Sequence, residues 1–154
     1  MSAVRVHPSP ISYFRNFPSV FDELLDLMRW SIHKKRFDAL LAPSLAGRFG
    51  VHITRYGERS GRAWLTFDGK EIATFDDIAV EGESDMRRFF CAIADYPQLS
   101  LADAFSSENS FVRAFAILDR RMGKRRLVQL AGQVPSGSLD EQLLRLRTVA
   151  EREK

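Results

Sequence analysis

The Asp68-Gly69 pair stands between two segments in which apolar and polar residues alternate, and this arrangement restricts the fold more than any other feature of the chain. A type I′ turn needs a positive φ angle at both central residues, and Asp-Gly adopts such a turn readily. The alternation predicts strands at residues 62–67 and 70 to about 75, joined by this turn, and an earlier strand at residues 49–54. The sequence therefore predicts a three-stranded antiparallel meander.

A two-residue turn also fixes which residues face each other across the hairpin. The predicted pairs are Phe67 with Lys70, Leu65 with Ile72, and Trp64 with Ala73. The residues that then share a face are Leu65, Phe67 and Ile72 on one side, and Trp64 and Phe75 on the other. We expect one of these faces to pack against helices.

Helical spacing of apolar residues, together with capping residues, predicts four or five helices around the meander. The first covers residues 19–42, is capped by Ser19 and has a bend or break near residues 31–35. The second is capped by Ser84 and ended by Pro97, and the third is the short LADAF segment after Ser100. The fourth covers residues 110 to about 131, and the fifth begins at the Ser138 and Glu141 capping box. Strands grouped together, with helices packed against one side, are typical of an α+β fold.

The length and composition favour a single domain. A chain of 154 residues can bury one sizeable core, and 45% apolar residues with twelve Phe exceed what a disordered chain contains. We divide the chain into residues 1–27, an N-terminal extension with the start of the first helix; residues 28–132, the α+β core; and residues 133–154, a linker and a C-terminal amphipathic helix. Met28 is an alternative start, so residues 1–27 are either an extension or untranslated sequence.

The sequence lacks the common signatures of cofactor and metal sites. It contains no Walker loop, no G-x-S-x-G and no G-x-G-x-x-G. The single cysteine, Cys91, and three scattered histidines offer no metal-ligand spacing, and His52 is expected to be a hydrogen-bonded structural residue. We therefore expect no cofactor and no metal. One cysteine, no long apolar run and no signal-peptide core predict a cytoplasmic protein without a membrane segment.

The segment DRRMGKRRL, residues 119–127, carries five cationic side chains in nine positions. On a continuous helix, an apolar arc of Phe111, Phe115, Leu118 and Met122 lies opposite Arg120, Arg121, Lys124 and Arg125. One interpretation is the solvated face of a surface helix, with its cations near the favourable C-terminal end of the dipole. The other is a phosphate-binding ridge that Arg62 flanks. A net charge of +3 favours anionic partners only mildly.

Gly123 interrupts this segment and leaves a second arrangement open. A glycine in a helix interior costs about 1 kcal/mol relative to alanine. At the same position a glycine can end one helix in the left-handed conformation before a shorter helix begins. The four cations would then be split between two elements.

Asp119 is a carboxylate that the helical pattern places beside the apolar arc. A partly buried carboxylate usually has a partner, and the candidates are Arg48 and Arg62 from the predicted sheet. The favoured role is a structural ion pair that joins the helix to the hairpin. If the partner is missing, Asp119 becomes a catalytic candidate.

Aromatic residues of the predicted sheet offer a second way to bind nucleic acid. Tyr56, Trp64 and Phe75 can stack on bases if they are exposed beside Arg62. If they are buried, they belong to the core and the stacking hypothesis fails.

Two stretches of the chain resemble the signature blocks of a small family of uncharacterised bacterial proteins. LLAPSLAGRFGVHITRYGERSGRAWLTFDGKEI is similar to the family's PSL-x-GR lead, its TRY strand end and its GRAW-x-T-x-DG-x-E-I hairpin, and AFAILDRRMGKRRL is similar to its LDRR-x-GKRRL block. The resemblance spans Trp30 to about Leu130 and implies a single α+β unit, but it brings no activity. The positions that match the motifs are Pro43, Gly47, Arg48, Tyr56, Gly61, Arg62, Trp64, Asp68, Gly69, Asp119, Arg120, Arg121, Gly123 and Lys124.

The preferred function is that of a small binding protein for an anionic partner, with nucleic acid as the leading case. Its anion-binding residues would be Arg120, Arg121, Lys124, Arg125 and Arg62. The alternative is a protein-interaction or regulatory module that uses the C-terminal helix or the N-terminal arm, with the arginines serving structure. A third hypothesis is an enzyme that uses Asp119 with the sheet arginines. The oligomeric state is left open.

Overall fold

The computed structural model describes residues 20–55, 61–76 and 84–153. Within these ranges the helices are α1 Val20–Asp38, α2 Asp85–Asp95, α3 Leu101–Phe105, α4 Ser110–Ala116, α5 Lys124–Ala131 and α6 Leu139–Arg152, with a 3₁₀ turn at Tyr96–Gln98. The strands are β1 Phe49–Arg55, β2 Gly61–Phe67 and β3 Lys70–Asp76, which form an antiparallel sheet in the order β1-β2-β3. The predicted α+β fold, a three-stranded meander with helices, is confirmed.

The turn between β2 and β3 has the predicted geometry. Asp68 and Gly69 have φ angles of 51° and 79°, the positive values that a type I′ turn requires. Phe67 pairs with Lys70 across the turn, as predicted. The local turn signal therefore places the hairpin correctly.

A β-bulge shifts the register behind this turn. Ile72 is an extra residue on β3, so that Leu65 pairs with Ala73 and Trp64 pairs with Thr74. The predicted pairs Leu65–Ile72 and Trp64–Ala73 are therefore wrong. Strict alternation assumes one residue on each strand at every step, and a bulge breaks that assumption.

The bulge also changes the face on which Phe75 lies. Phe75 pairs with Ala63 on the face that the helices cover. Its ring centroid lies 5.6 Å from that of Phe89 in α2 and 4.8 Å from that of Phe111 in α4. Trp64 lies on the opposite face, so the prediction that Trp64 and Phe75 share a face is wrong.

The core lies between the covered face of the sheet and the helices. Val51, Ala63 and Leu65 of the sheet are fully buried. Helices α1 and α4 meet over this layer, where the ring centroids of Phe37 and Phe115 are 4.9 Å apart in an edge-to-face arrangement. Removal of this apolar surface from water, at about 25 cal/mol per Å², is the main stabilising contribution to the fold.

Helix α1 is continuous, and the predicted break near residues 31–35 is not found. Trp30 and Phe37 are both buried, because seven residues complete almost two helical turns and return to the same face. The helix ends at Asp38, earlier than predicted, and turns lead from there to β1. The predicted cap at Ser19 lies outside the described residues.

The helix predicted over residues 110–131 is two helices. α4 ends at Ala116 and α5 begins at Lys124. Gly123 has φ −78° and ψ 160°, so it is an extended N-cap of α5 and not a left-handed end of α4. The prediction of one continuous helix is wrong, and so is a left-handed helix end at Gly123, but the cations are divided between two elements, as the alternative expected.

Helix α6 begins at the predicted capping residues. The Ser138 hydroxyl accepts a hydrogen bond of 3.2 Å from the backbone N–H of Glu141. Leu143, Leu144 and Ala150 are buried in the same hydrophobic core as the sheet and the earlier helices. The C-terminal helix therefore packs onto the α+β core.

Candidate functional site

The first part of the basic segment lies in the turn formed by residues 117–123, which we call the connecting turn. Two backbone hydrogen bonds fasten this turn to the residues that follow α1. The Arg120 N–H donates to the Leu40 carbonyl at 2.8 Å, and the Ala42 N–H donates to the Leu118 carbonyl at 2.9 Å. The backbone of the connecting turn is therefore held in place from one side.

A buried arginine from α6 holds the connecting turn from the other side. Arg147 is 4% exposed, and its guanidinium donates to the carbonyl groups of Ile117, Asp119 and Met122 at 2.7–2.8 Å. Its Nε lies 3.5 Å from a carboxylate oxygen of Glu151. Burial lowers the pKa of Arg147, and the nearby Glu151 partly offsets that effect. One side chain thus donates to three carbonyl groups at the end of α4 and in the turn, of which only that of Asp119 also accepts a backbone hydrogen bond, from the Met122 N–H at 3.0 Å, among the described residues.

The sequence reasoning missed Arg147, although the sequence contains a signal for it. Arg147 follows Leu143 by four residues and precedes Ala150 by three, so it lies on the apolar stripe of α6. A cation at such a position is buried only if partners are present. The spacing alone predicts a buried arginine, but it does not identify the carbonyl groups that the arginine binds.

Asp119 lies in the connecting turn and is fully hydrogen-bonded. Its carboxylate accepts bonds from the Tyr96 hydroxyl at 2.5 Å, from the Arg121 side chain at 2.8 and 3.1 Å, and from the Arg121 N–H at 2.7 Å. Burial alone would raise the pKa of Asp119, but the bonds from Arg121 and Tyr96 outweigh burial and lower it. The Arg121 guanidinium also donates to the Leu99 carbonyl at 3.2 Å. Asp119 and Arg121 therefore form a structural ion pair.

The prediction that Asp119 pairs with Arg48 or Arg62 is wrong. Arg48 instead donates two hydrogen bonds of 2.8 Å to Asp68 and one of 2.7 Å to Glu153. The cause is the break in the helix: on a continuous helix the Arg121 side chain points away from the core. In the turn it folds back onto the carboxylate two residues earlier.

Arg62 lies on the outer face of the sheet and is also engaged within the protein. Its guanidinium pairs with Glu71 and lies 4.1 Å from the ring centroid of Trp64. No contact joins Arg62 to Asp119 or to the basic segment among the described residues. The arrangement that the enzyme hypothesis requires, Asp119 beside a sheet arginine, is therefore not formed.

We expect the buried Asp119 carboxylate to make stability depend on pH. Because its pKa is lowered in the folded protein, it stabilises the fold above its ordinary pKa of 3.8. That contribution disappears as the pH falls through the lowered value. Urea unfolding of Asp119→Asn should show a free energy of unfolding about 2 kcal/mol lower at neutral pH and a smaller further loss in acid.

An exposed carboxylate serves as the control for this prediction. Glu108 is exposed and belongs to no ion pair among the described residues, so Glu108→Gln should reproduce the pH profile of the unsubstituted protein. An Asp119→Asn profile that runs parallel to the profile of Glu108→Gln would contradict the role of Asp119.

Three predicted anion-binding residues have no side-chain partner within the part of the chain that the structure describes. Arg120, Lys124 and Arg125 are exposed, and none makes a salt bridge with a described side chain. We call these three residues the basic surface. Arg121 is committed to Asp119, and the neighbouring Arg126 lies 5.3 Å from the ring centroid of Phe105.

The position of the basic surface is electrostatically unfavourable for the isolated protein. Lys124 and Arg125 lie in the first turn of α5, at the partially positive end of the helix dipole. That turn contains no acidic residue, and neither does the rest of α5. The expectation that these cations lie near a helix C-terminus, where the dipole favours them, is therefore wrong.

The outer face of the sheet does not present free aromatic rings. The Trp64 ring stacks on His52 with a centroid distance of 5.2 Å, and Arg62 also covers it. His52 shares a hydrogen bond of 2.8 Å with Thr66, in line with the structural role expected of it. Phe75 packs in the core, and Tyr56 lies outside the described residues. The base-stacking hypothesis therefore has no support from Trp64 or Phe75.

The described part of the chain contains neither a cluster of metal-ligating side chains nor a helix that could span a membrane. No group of three or more His, Cys, Asp or Glu side chains there is arranged to hold a metal ion. None of the helices in these ranges is both long enough and apolar enough to cross a membrane.

Comparison with known proteins gives one match. The model of the SF0329 protein family matches residues 29–88 and 78–147, two stretches that share residues 78–88. Together they contain the hairpin, the connecting turn and the basic surface. No curated protein and no solved structure matches the chain.

Proposed function

We propose that this chain, which belongs to the SF0329 protein family, binds a polyanion through the basic surface, with nucleic acid as the leading case. The family description names no activity, so the proposal rests on the residues themselves. The observation that carries it is that Arg120, Lys124 and Arg125 are exposed and have no salt-bridge partner among the described side chains.

The other arginines near the connecting turn make this observation informative. Arg147 satisfies three carbonyl groups, and Arg121 neutralises the buried Asp119. Each therefore contributes to the fold. The basic surface contributes no such contact, and a cation at the wrong end of a helix dipole costs about 0.3–1 kcal/mol. An anionic ligand would relieve this repulsion, and that gain supports a binding role.

The support beneath the basic surface suits recognition. Arg120 lies within the connecting turn, and Lys124 follows it directly. Arg147 and two backbone hydrogen bonds hold the backbone of this turn in place. A ligand that binds there does not have to order the backbone, so little of the binding energy is lost. Arginine can hold a phosphate through two parallel hydrogen bonds, while lysine acts as a compact charge.

Fluorescence anisotropy of labelled DNA and RNA, single- and double-stranded, tests this proposal. We expect Kd values in the micromolar range at about 50 mM salt and much weaker binding at about 200 mM, because bound cations release counterions from the phosphates. The absence of binding at the lower salt concentration would contradict the proposal.

A second candidate function is protein interaction through α6. A groove of about 530 Å³ lies between the β2-β3 turn and α6, where Phe67, Leu146 and Val149 form its apolar lining and Glu141 and Arg145 part of its rim. Val149 is 46% exposed, which is high for a large apolar residue. A partner bound mainly through apolar contacts would remain bound at high salt. The N-terminal arm, the other predicted partner surface, lies largely outside the described residues.

The cellular setting belongs to the same proposal. Cys91 is buried and is the single cysteine of the sequence, so it forms no disulfide within the chain, which suits a reducing compartment. We therefore propose that the protein is located in the bacterial cytoplasm. The cytoplasm also contains abundant nucleic acid, the proposed ligand.

A further inference from the structure

Most of helix α5 is exposed to solvent. Six of its eight residues are exposed, while Leu127 is buried and Leu130 is half-buried. The helix is therefore anchored along one narrow side and presents the rest of its circumference to solvent. A short helix with this exposure leaves most of its side chains available to a groove of a partner.

The exposed side of α5 combines charge with an apolar group. Val128 is 74% exposed, and it follows Lys124 by four residues and Arg125 by three. These spacings place all three side chains on one side of the helix. Gln129, which is also exposed, lies next to Val128. The cationic side chains of Lys124 and Arg125, which can bind phosphate, thus lie beside the apolar side chain of Val128 and the amide of Gln129, which can form two hydrogen bonds.

We infer that the polyanion is double-stranded DNA and that α5 enters its major groove, an inference that rests on the proposed function. An α-helix with its side chains is about 10–12 Å wide, and the major groove of B-form DNA is about 12 Å wide. The major groove of an RNA duplex is too narrow for side chains to read. Charge complementarity selects the basic end of α5 as the part that meets the phosphates.

Single-stranded nucleic acid fits this surface less well. Proteins that bind single strands use exposed aromatic rings on which bases stack. None of the aromatic side chains in residues 29–54, 61–76 and 84–153 is exposed, and Arg126 lies over the ring of Phe105, the aromatic residue next to α5. The surface around α5 therefore offers charge and an exposed helix, but no aromatic ring on which a base could stack.

This placement assigns a role to each exposed residue. Arg120, Lys124 and Arg125 contact phosphates on the edge of the groove. Val128 faces the base edges, where an apolar side chain can contact the methyl group of thymine, and Gln129 can form two hydrogen bonds with adenine. The phosphate contacts supply affinity, while the contacts of Val128 and Gln129 discriminate among bases.

The test compares four probes of matched sequence: duplex DNA, duplex RNA, single-stranded DNA and single-stranded RNA. We expect the protein to bind duplex DNA at least about tenfold more tightly than the other three at low salt. Methyl green, a dye that occupies the major groove, should displace the protein from duplex DNA, whereas a ligand of the minor groove should not. This competition needs no substitution and so does not depend on the folding of a variant.

A pair of matched substitutions locates the contact on α5. Val128→Glu introduces a negative charge among the cations and should weaken duplex binding at least about tenfold, because each lost phosphate or base contact reduces the affinity. Val149→Glu introduces the same charge on the exposed side of α6 and should leave the affinity unchanged. Circular dichroism confirms that both variants fold.

The outcomes separate this inference from the proposed function. Equal, salt-sensitive binding of all four probes would overturn the inference and leave polyanion binding intact. Equal effects of Val128→Glu and Val149→Glu, or displacement by the minor-groove ligand alone, would also overturn the inference. The absence of binding to any probe would overturn both.

Discussion

Replacing Arg147 by methionine is expected to lower the free energy of unfolding by about 3–5 kcal/mol, the largest effect on stability that we predict. The guanidinium is buried and donates to the carbonyl groups of Ile117, Asp119 and Met122. Methionine fills a similar volume but donates no hydrogen bond, so these carbonyl groups lose a donor inside the protein. The Asp119 carbonyl keeps its bond from the Met122 N–H, and a buried polar group left without a partner, as the other two would be, costs about 1–3 kcal/mol.

Urea unfolding measures this effect, and the same helix provides a matched control. Arg145 lies two positions earlier on α6 with its side chain 75% exposed. Arg145→Met should therefore change the free energy of unfolding by no more than about 0.5 kcal/mol. Arg147→Lys should fall between the two, because lysine keeps the charge but lacks the planar fork that reaches several carbonyl groups. If Arg147→Met were no less stable than Arg145→Met, the proposed anchor of the connecting turn would be contradicted.

Local signals allowed most of the fold to be predicted. The Asp68-Gly69 turn, the Ser84 and Ser138 caps and the alternation along β1 each depend on a few neighbouring residues, and the structure contains all of them. The bulge at Ile72 was missed because alternation assumes a regular strand. Whether a strand contains an extra residue depends on how its two faces pack, and a single sequence does not show this.

The break between α4 and α5 shows why a periodic pattern can mislead. Phe115, Leu118 and Met122 are all buried, as a continuous helix requires. However, the connecting turn buries the same residues, so the apolar pattern does not distinguish a helix from a turn held by outside partners. The deciding partner is Arg147, which comes from α6, 25 to 30 residues later in the chain.

The same error affected the predicted site. The carboxylate of Asp119 was expected in an ion pair, and it is in one, but its partner is Arg121 and not a sheet arginine. A continuous helix turns Arg121 outward and so predicts it on the anion-binding face. The connecting turn reverses its direction and reduces the basic surface to Arg120, Lys124 and Arg125.

The second large effect that we predict is a loss of affinity for duplex DNA when the basic surface is neutralised. Replacing Arg120, Lys124 and Arg125 together by glutamine should remove about three phosphate contacts. All three side chains are exposed and make no salt bridge with a described side chain, so the variant should fold with no loss of stability. Each contact contributes about 0.9 to the slope of log affinity against log salt concentration for duplex DNA, so the slope should become shallower by about 2.7.

A control variant must remove the same net charge elsewhere. Glutamine at Lys70, Arg145 and Arg152, all of them exposed, also removes three positive charges. A long-range effect of net charge would weaken both variants alike. A local site would weaken the first variant alone, and at about 50 mM salt the difference in affinity should exceed tenfold.

The salt dependence of duplex DNA affinity, measured side by side for the unsubstituted protein and these two variants, tests the central claim most directly. If the basic surface binds phosphates, the unsubstituted protein and the control variant share a steep slope, and the variant at Arg120, Lys124 and Arg125 has a slope shallower by about 2.7. If all three proteins share one slope, or if none binds at low salt, the basic surface is not a polyanion-binding site.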